Sequence, residues 1–164
     1  MHDTTVLAQD FHDGKPPLSG LEKSLSLNHQ PGFYKNPVYL KVQAFSGDSV
    51  YYTTDGSIPT LESFLFKASI YLDFLYDKEN IISSIPTSPD EFWSEPQTIV
   101  EKAHVLRFQT FRNGEAIGKT YTHSYFIDSL YDTKYALPII SLVTDPNHFF
   151  HEDSGIYVPG KLFN

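Results

Sequence analysis

Residues 51–60 read Tyr-Tyr-Thr-Thr-Asp-Gly-Ser-Ile-Pro-Thr, an aromatic and β-branched run that stops at Asp-Gly-Ser and leaves through a proline. Two readings compete for this stretch. In one, Asp55 is a general base or a metal ligand on an exposed loop. In the other, 51–54 is a strand, Asp55 accepts hydrogen bonds from nearby backbone N–H groups, Gly56 takes a positive φ, and Pro59 holds the exit extended. A hydrolytic carboxylate needs a second acid, a histidine or a metal cluster, and none stands close in sequence. The stretch is therefore predicted to be a bend in a β-sheet scaffold.

The flanking sequence agrees. In VYLKVQA (38–44), Val38, Leu40, Val42 and Ala44 face one way and Tyr39, Lys41 and Gln43 the other, the alternation of a half-buried strand. FSGD makes the next turn, and SVYYTT resumes the period of two. Residues 104–127 give the clearest signal. Two aromatic, β-branched runs flank Asn113-Gly114, the favoured pair for a tight hairpin turn. A last strand is expected at LPIISLVT (137–144). The middle is less regular: a strand at 68–72 competes with a short helix over 71–77. Pro86, Pro89 and Pro96 then leave only a long loop over 73–97, anchored by Ile82, Ile85, Phe92 and Trp93. Residues 1–23 carry Pro16-Pro17 and no steady period, and read as a leader or linker.

Composition narrows the function classes. A chain of 164 residues buries enough surface to fold without staples, and it has no cysteine, which removes disulfides, thiolate nucleophiles and cysteine metal sites. Twenty acidic residues against 12 Lys and Arg give a net charge of −8 with no basic cluster, a surface that repels phosphate backbones and speaks against nucleic acid. No apolar run approaches the ~18 residues of a membrane span. The start, MHDTTVLAQD, lacks the basic-then-apolar order of a signal peptide. With 11 Tyr and 13 Phe and little helical periodicity, the expected class is all-β, an immunoglobulin- or fibronectin-III-like antiparallel sandwich of about seven strands.

Four blocks in order, HQPGFY, YYTTDGSIPT, an Arg107-containing strand and THSYFI, resemble the C-terminal domain of chitobiases and β-hexosaminidases. NIISSIPTSPDEFW (80–93) and LPIISLVTDPNHFFHEDSGIYVPG (137–160) resemble the segment leading into the kinase-like domain of the spore-coat protein H (CotH) family. The resemblance implies a leader at 1–23, a sandwich over 24–129, and a linker with the first strands of a CotH-like domain over 130–164. That family's nucleotide- and metal-binding residues would fall beyond GIYVPG, so none is assigned here.

Other candidate chemistry is thin. Asp145, Asn147, His148, His151, Glu152 and Asp153 crowd into DPNHFFHEDSG and could bind Ca²⁺ or Zn²⁺, but their spacing fits neither the twelve-residue calcium loop nor His-Glu-x-x-His. The competing reading is a short helix with Asp145 as N-cap, Pro146 at its first position, and Phe149 and Phe150 turned inward. There is no phosphate-cradling glycine loop and no Gly-x-Ser-x-Gly elbow. His104 and His123 fall on strands, where a satisfied imidazole is expected.

No catalytic, cofactor-binding or metal residue is therefore assigned. The expected function is a non-catalytic spacer of a secreted or spore- or cell-surface protein. Its partner would be an adjacent domain of the same polypeptide, met through Leu137, Ile139, Leu142, Ile156 and Val158. The alternatives are a saccharide-binding module using exposed tyrosines and Trp93, and an inactive remnant of a CotH-type kinase.

Overall fold

The computed structural model describes residues 7–8, 25–44, 46–134 and 137–161. Apart from Leu7 and Ala8, the leader expected at 1–23 lies outside the described residues. Strands follow in the order β1 (Leu7–Ala8), β2 (Ser26–Leu27), β3 (Gly32–Tyr34), β4 (Val38–Leu40), β5 (Val42–Gln43), β6 (Ser49–Thr53), β7 (Phe64–Leu65), β8 (Ile70–Leu72), β9 (His104–Arg112), β10 (Glu115–Ile127) and β11 (Ile140–Ser141). Two short helices, α1 (Tyr131–Lys134) and α2 (Pro146–Phe150), come late in the chain.

The β9–β10 hairpin organises the fold. Asn113 and Gly114 take φ of 52° and 84°, the left-handed pair that turns a two-residue hairpin with the right twist. β6 pairs antiparallel with β9, β7 with β6, and β3 runs parallel to β10, giving a five-stranded sheet in the order β3-β10-β9-β6-β7. The opposing layer is smaller: β4 pairs with β8, and β2 with β5. In immunoglobulin terms β10-β9-β6-β7 are strands G-F-C-C′, and β2, β4 with β5, and β8 stand for A, B and E. The all-β sandwich expected from the sequence is what forms.

The layers meet through Leu106 and Phe108 of β9, Tyr125 and Ile127 of β10, and Val50 of β6, packed against Leu40 of β4 and Leu72 of β8. Each such side chain contributes roughly 1.5–3 kcal/mol by leaving water. Tyr125 is fully buried, and its hydroxyl donates to the His29 carbonyl at 3.1 Å, which pins the approach to β3.

Three expectations change in detail. The strand over 38–44 breaks at Lys41 and exchanges partners, β4 facing β8 and β5 facing β2. Asn28 explains the break. Its side chain donates to the Tyr39 carbonyl at 2.9 Å and accepts from the Lys41 N–H at 2.6 Å, replacing ladder bonds where the partners change. The strand proposed at 68–72 starts at Ile70, and no helix forms over 71–77. The strand expected over 137–144 is paired only at β11, parallel to β1.

The long loop is irregular, with one 3₁₀ turn at Ile82–Ser84, and of its expected anchors Ile85 and Trp93 are half-buried while Ile82 and Phe92 are exposed. Asn80 ties its neck. The side chain donates to the Thr98 carbonyl at 2.8 Å and accepts from the Val100 N–H and the Lys102 ammonium at 3.0 Å each.

Candidate functional site

The Asp-Gly-Ser stretch forms the turn its residues predict. Asp55 Oδ1 accepts from the Ser57 N–H at 2.9 Å and from the Ser57 hydroxyl at 2.6 Å. The Ser57 hydroxyl, and after it the Ser57 amide, hold the Asp55 carboxyl below its ordinary range. Thr53 closes the bend by donating from Oγ1 to the Ser57 carbonyl at 2.6 Å, and Gly56 has φ of 88°. Arg107 projects from β9 and donates from Nη1 to the Gly56 carbonyl at 2.8 Å. The residue is buried, at 7% exposure. The arrangement stiffens a turn, and its acceptors point at the turn's own donors.

Around this turn the outer face of the five-stranded sheet is unexpectedly closed to water. Thr53, Arg107, Gln109, Thr120, Thr122 and Ser124 are all buried there, opposite the core. Thr53, Arg107, Gln109, Thr120 and Ser124 each make a side-chain hydrogen bond within the chain. The register of β10 shifts between Ile117 and Tyr121, and Gln109 fills the irregularity by donating to the Ile117 carbonyl at 2.9 Å while accepting from the Thr120 hydroxyl at 2.8 Å. Ser124 and Ser141 join hydroxyls at 2.7 Å, so the C-terminal segment lies on this face.

Residues 145–161 form a small knot. Asp145 caps α2 by accepting from the Asn147 N–H at 2.9 Å, with Pro146 in the first turn as expected. The Phe149, Phe150 and Tyr157 rings cluster with centroids 5.9–6.4 Å apart. The candidate ligands are occupied with one another: His148 Nδ1 lies 2.6 Å from Thr144 Oγ1, His151 Nδ1 accepts from the Asp153 N–H at 3.1 Å, and Lys161 pairs with Asp153 at 2.7 Å and Glu152 at 3.1 Å. Among the described residues no three His, Asp or Glu side chains converge as a metal site. Of the apolar residues expected to meet a neighbour, Leu137, Leu142 and Ile156 are exposed, while Ile139 and Val158 are half-buried.

The histidines on strands have structural partners. His104 Nε2 lies 2.7 Å from the Asp73 carbonyl, and His123 packs edge-on against Phe108. Trp93 is half-buried in the long loop. The exposed aromatic feature that periodicity alone did not single out is Tyr39 and Tyr71. They stand opposite each other on β4 and β8, 59% and 49% exposed, with ring centroids 4.7 Å apart. Burial against neighbours, then Asp73 and Tyr39, push the Tyr71 phenol upward. Two small concavities flank the sandwich. One beside Leu75, Ile99 and Phe126 encloses about 80 Å³ and one between β2 and β5 about 180 Å³. Both fall below the ~300 Å³ at which small-molecule sites begin.

A two-layered β-sandwich built on an Asn-Gly hairpin, with a rigid Asp-Gly-Ser turn, defines a class: an immunoglobulin-like β module. The chain belongs to the chitobiase/beta-hexosaminidase C-terminal domain family, whose model matches residues 29–122, more than half of its length. No curated protein and no solved structure matches it significantly. The matched span ends within β10, so the segment that covers the outer sheet face lies beyond it.

Proposed function

We propose that this module is a non-catalytic spacer of a secreted or spore- or cell-surface protein of CotH type, holding an adjacent kinase-like domain of the same polypeptide in position. The observation that carries the reading is the fate of the polar groups. In the signature turn, on the outer sheet face and in the 145–161 knot, they are engaged in holding the chain to itself. The CotH setting rests on the likeness of 80–93 and 137–160 to that family's lead-in segment. Two measurements test it. A titration with ATP and Mg²⁺ is expected to give no heat, whereas saturable binding would favour the kinase-remnant reading. The coding sequence past Asn164 is expected to encode a kinase-like domain, and an unrelated continuation would remove the CotH setting.

A second reading, saccharide binding, has one specific observation in its favour. Tyr39 and Tyr71 offer exposed rings on the β4–β8 pair beside the Asp73 carboxylate, the mixture of apolar faces and hydrogen-bonding groups that sugars engage. A glycan array decides between the two. The spacer is silent, whereas a binding module gives signals that Tyr39→Ala and Tyr71→Ala abolish.

A further inference from the structure

We infer that the Thr-Asp-Gly-Ser turn and the outer face of the five-stranded sheet form a docking surface for the chain's own extended segment 141–144, and that this contact sets the direction in which the residues after Thr144 leave the sandwich. Three glycines make the case together. Gly47, Gly56 and Gly114 have φ of 86°, 88° and 84°, so turn geometry asks the same of each. A Cβ added at Gly47 or Gly114 would meet nothing within 4 Å. At Gly56 it would lie 2.6 Å from the Thr144 carbonyl oxygen and 3.6 Å from Val143 Cγ1. Position 56 is thus bare for two reasons, and the second is the arrival of a distant backbone.

The segment is laid on the sheet with a period of two. Ile139, Ser141 and Val143 are half-buried while Ile140 and Leu142 are exposed, and Ser141 meets Ser124 of β10 at 2.7 Å. Its ladder is only the two-residue pairing of β11 with β1, which itself lies along β10. So short a ladder leaves the docking to depend on the contacts at Gly56 and Ser124, and makes the segment an opening unit separable from the core. Arg107 holds the Gly56 peptide from the sheet side, so the docking surface stays rigid when the strap lifts. As the device that orients a neighbour this rests on the spacer reading; as a docking contact it is tested apart from it.

The absence of native cysteine gives a clean reporter. Val143→Cys places a single thiol under the strap, and its rate of reaction with a small aromatic disulfide reads the opening. Gly56→Ala and Gly114→Ala, each added to the reporter, carry similar backbone strain, but only the first strikes Thr144. Labelling is expected to rise on the order of tenfold with Gly56→Ala and to stay within about twofold with Gly114→Ala, since labelling follows the open population. Equal rates in both variants overturn the inference. Should Gly56→Ala fail to fold, Ser141→Ala in the reporter decides: faster labelling with an unchanged urea midpoint supports the docked strap, and an unchanged rate refutes it. Binding of a nucleotide or glycan by the intact chain would sink the spacer reading and leave this pattern untouched.

Discussion

Replacing Asp55 by alanine removes the acceptor of two hydrogen bonds, from the Ser57 amide at 2.9 Å and the Ser57 hydroxyl at 2.6 Å. Bonds to a charged acceptor contribute ~1.5–3 kcal/mol when shielded. Asp55 is exposed, so water competes for the carboxylate, and the pair together is worth about 1 kcal/mol. In a domain of this size that lowers Tm by roughly 2–4 °C. Asp55→Asn keeps an acceptor in place without the charge, so it should lose only part of this. The pH dependence separates charge from shape. Because the folded carboxyl is held below its ordinary value, its contribution is present above the unfolded pKa of ~3.9 and disappears as pH falls through the lower folded value. The gap in Tm between the wild-type chain and Asp55→Asn, measured by circular dichroism, should therefore be full at neutral pH and close below about pH 4. An alanine variant as stable as the parent at neutral pH would refute the scaffold role and reopen the chemical reading of this carboxylate.

Arg107→Met should leave the buried Gly56 carbonyl without its donor and cost about 1–3 kcal/mol, read as a lower urea midpoint with an unchanged slope; an unmoved midpoint would detach the turn from the sheet. Asp128 accepts from the Leu130 N–H at 2.8 Å and the Lys134 ammonium at 2.7 Å, which with Lys134 foremost lowers its carboxyl. Asp128→Asn should therefore speed amide exchange across α1 at neutral pH. The wild-type chain should show the same speeding only as pH drops below the unfolded value of ~3.9, and exchange indifferent to both changes counts against the anchor.

Local chemistry made much of the scaffold legible. The Asn113-Gly114 hairpin, the Asp55 turn and the Asp145 cap each depend on residues within a few positions of one another, and each forms as its sequence implies. What sequence hid is set by distant chain. The alternation of 38–44 placed Val38, Leu40 and Val42 inward correctly but Ala44 is exposed, and only Asn28 reveals that the strand changes partners at Lys41. Arg107 and Gln109 alternate with Leu106 and Phe108 as solvent-facing residues do, yet they are buried, Arg107 beneath the distant 53–57 turn and Gln109 in the irregularity of β10. Asn80 looked like any loop asparagine, although it ties the excursion between β8 and β9 to Thr98, Val100 and Lys102. The tyrosine pair at 39 and 71 needed the β4–β8 register to be seen at all.

The hairpin also sets an order of events. β9 and β10 meet across a two-residue turn, whereas β6 finds β9 nearly 60 positions away and β3 finds β10 some 90 away, in the register of a single sheet. Loop-closure entropy grows with the logarithm of separation, so the hairpin is the cheapest ladder to zip and the natural template for the other two. On the ribosome it is also the last of the sheet to emerge. β3, β6 and β7 wait in the nascent chain with unpaired edges until residue 127 clears the exit tunnel. The sandwich is thus a late-folding object, exposed to misassembly and to holding chaperones for most of its synthesis.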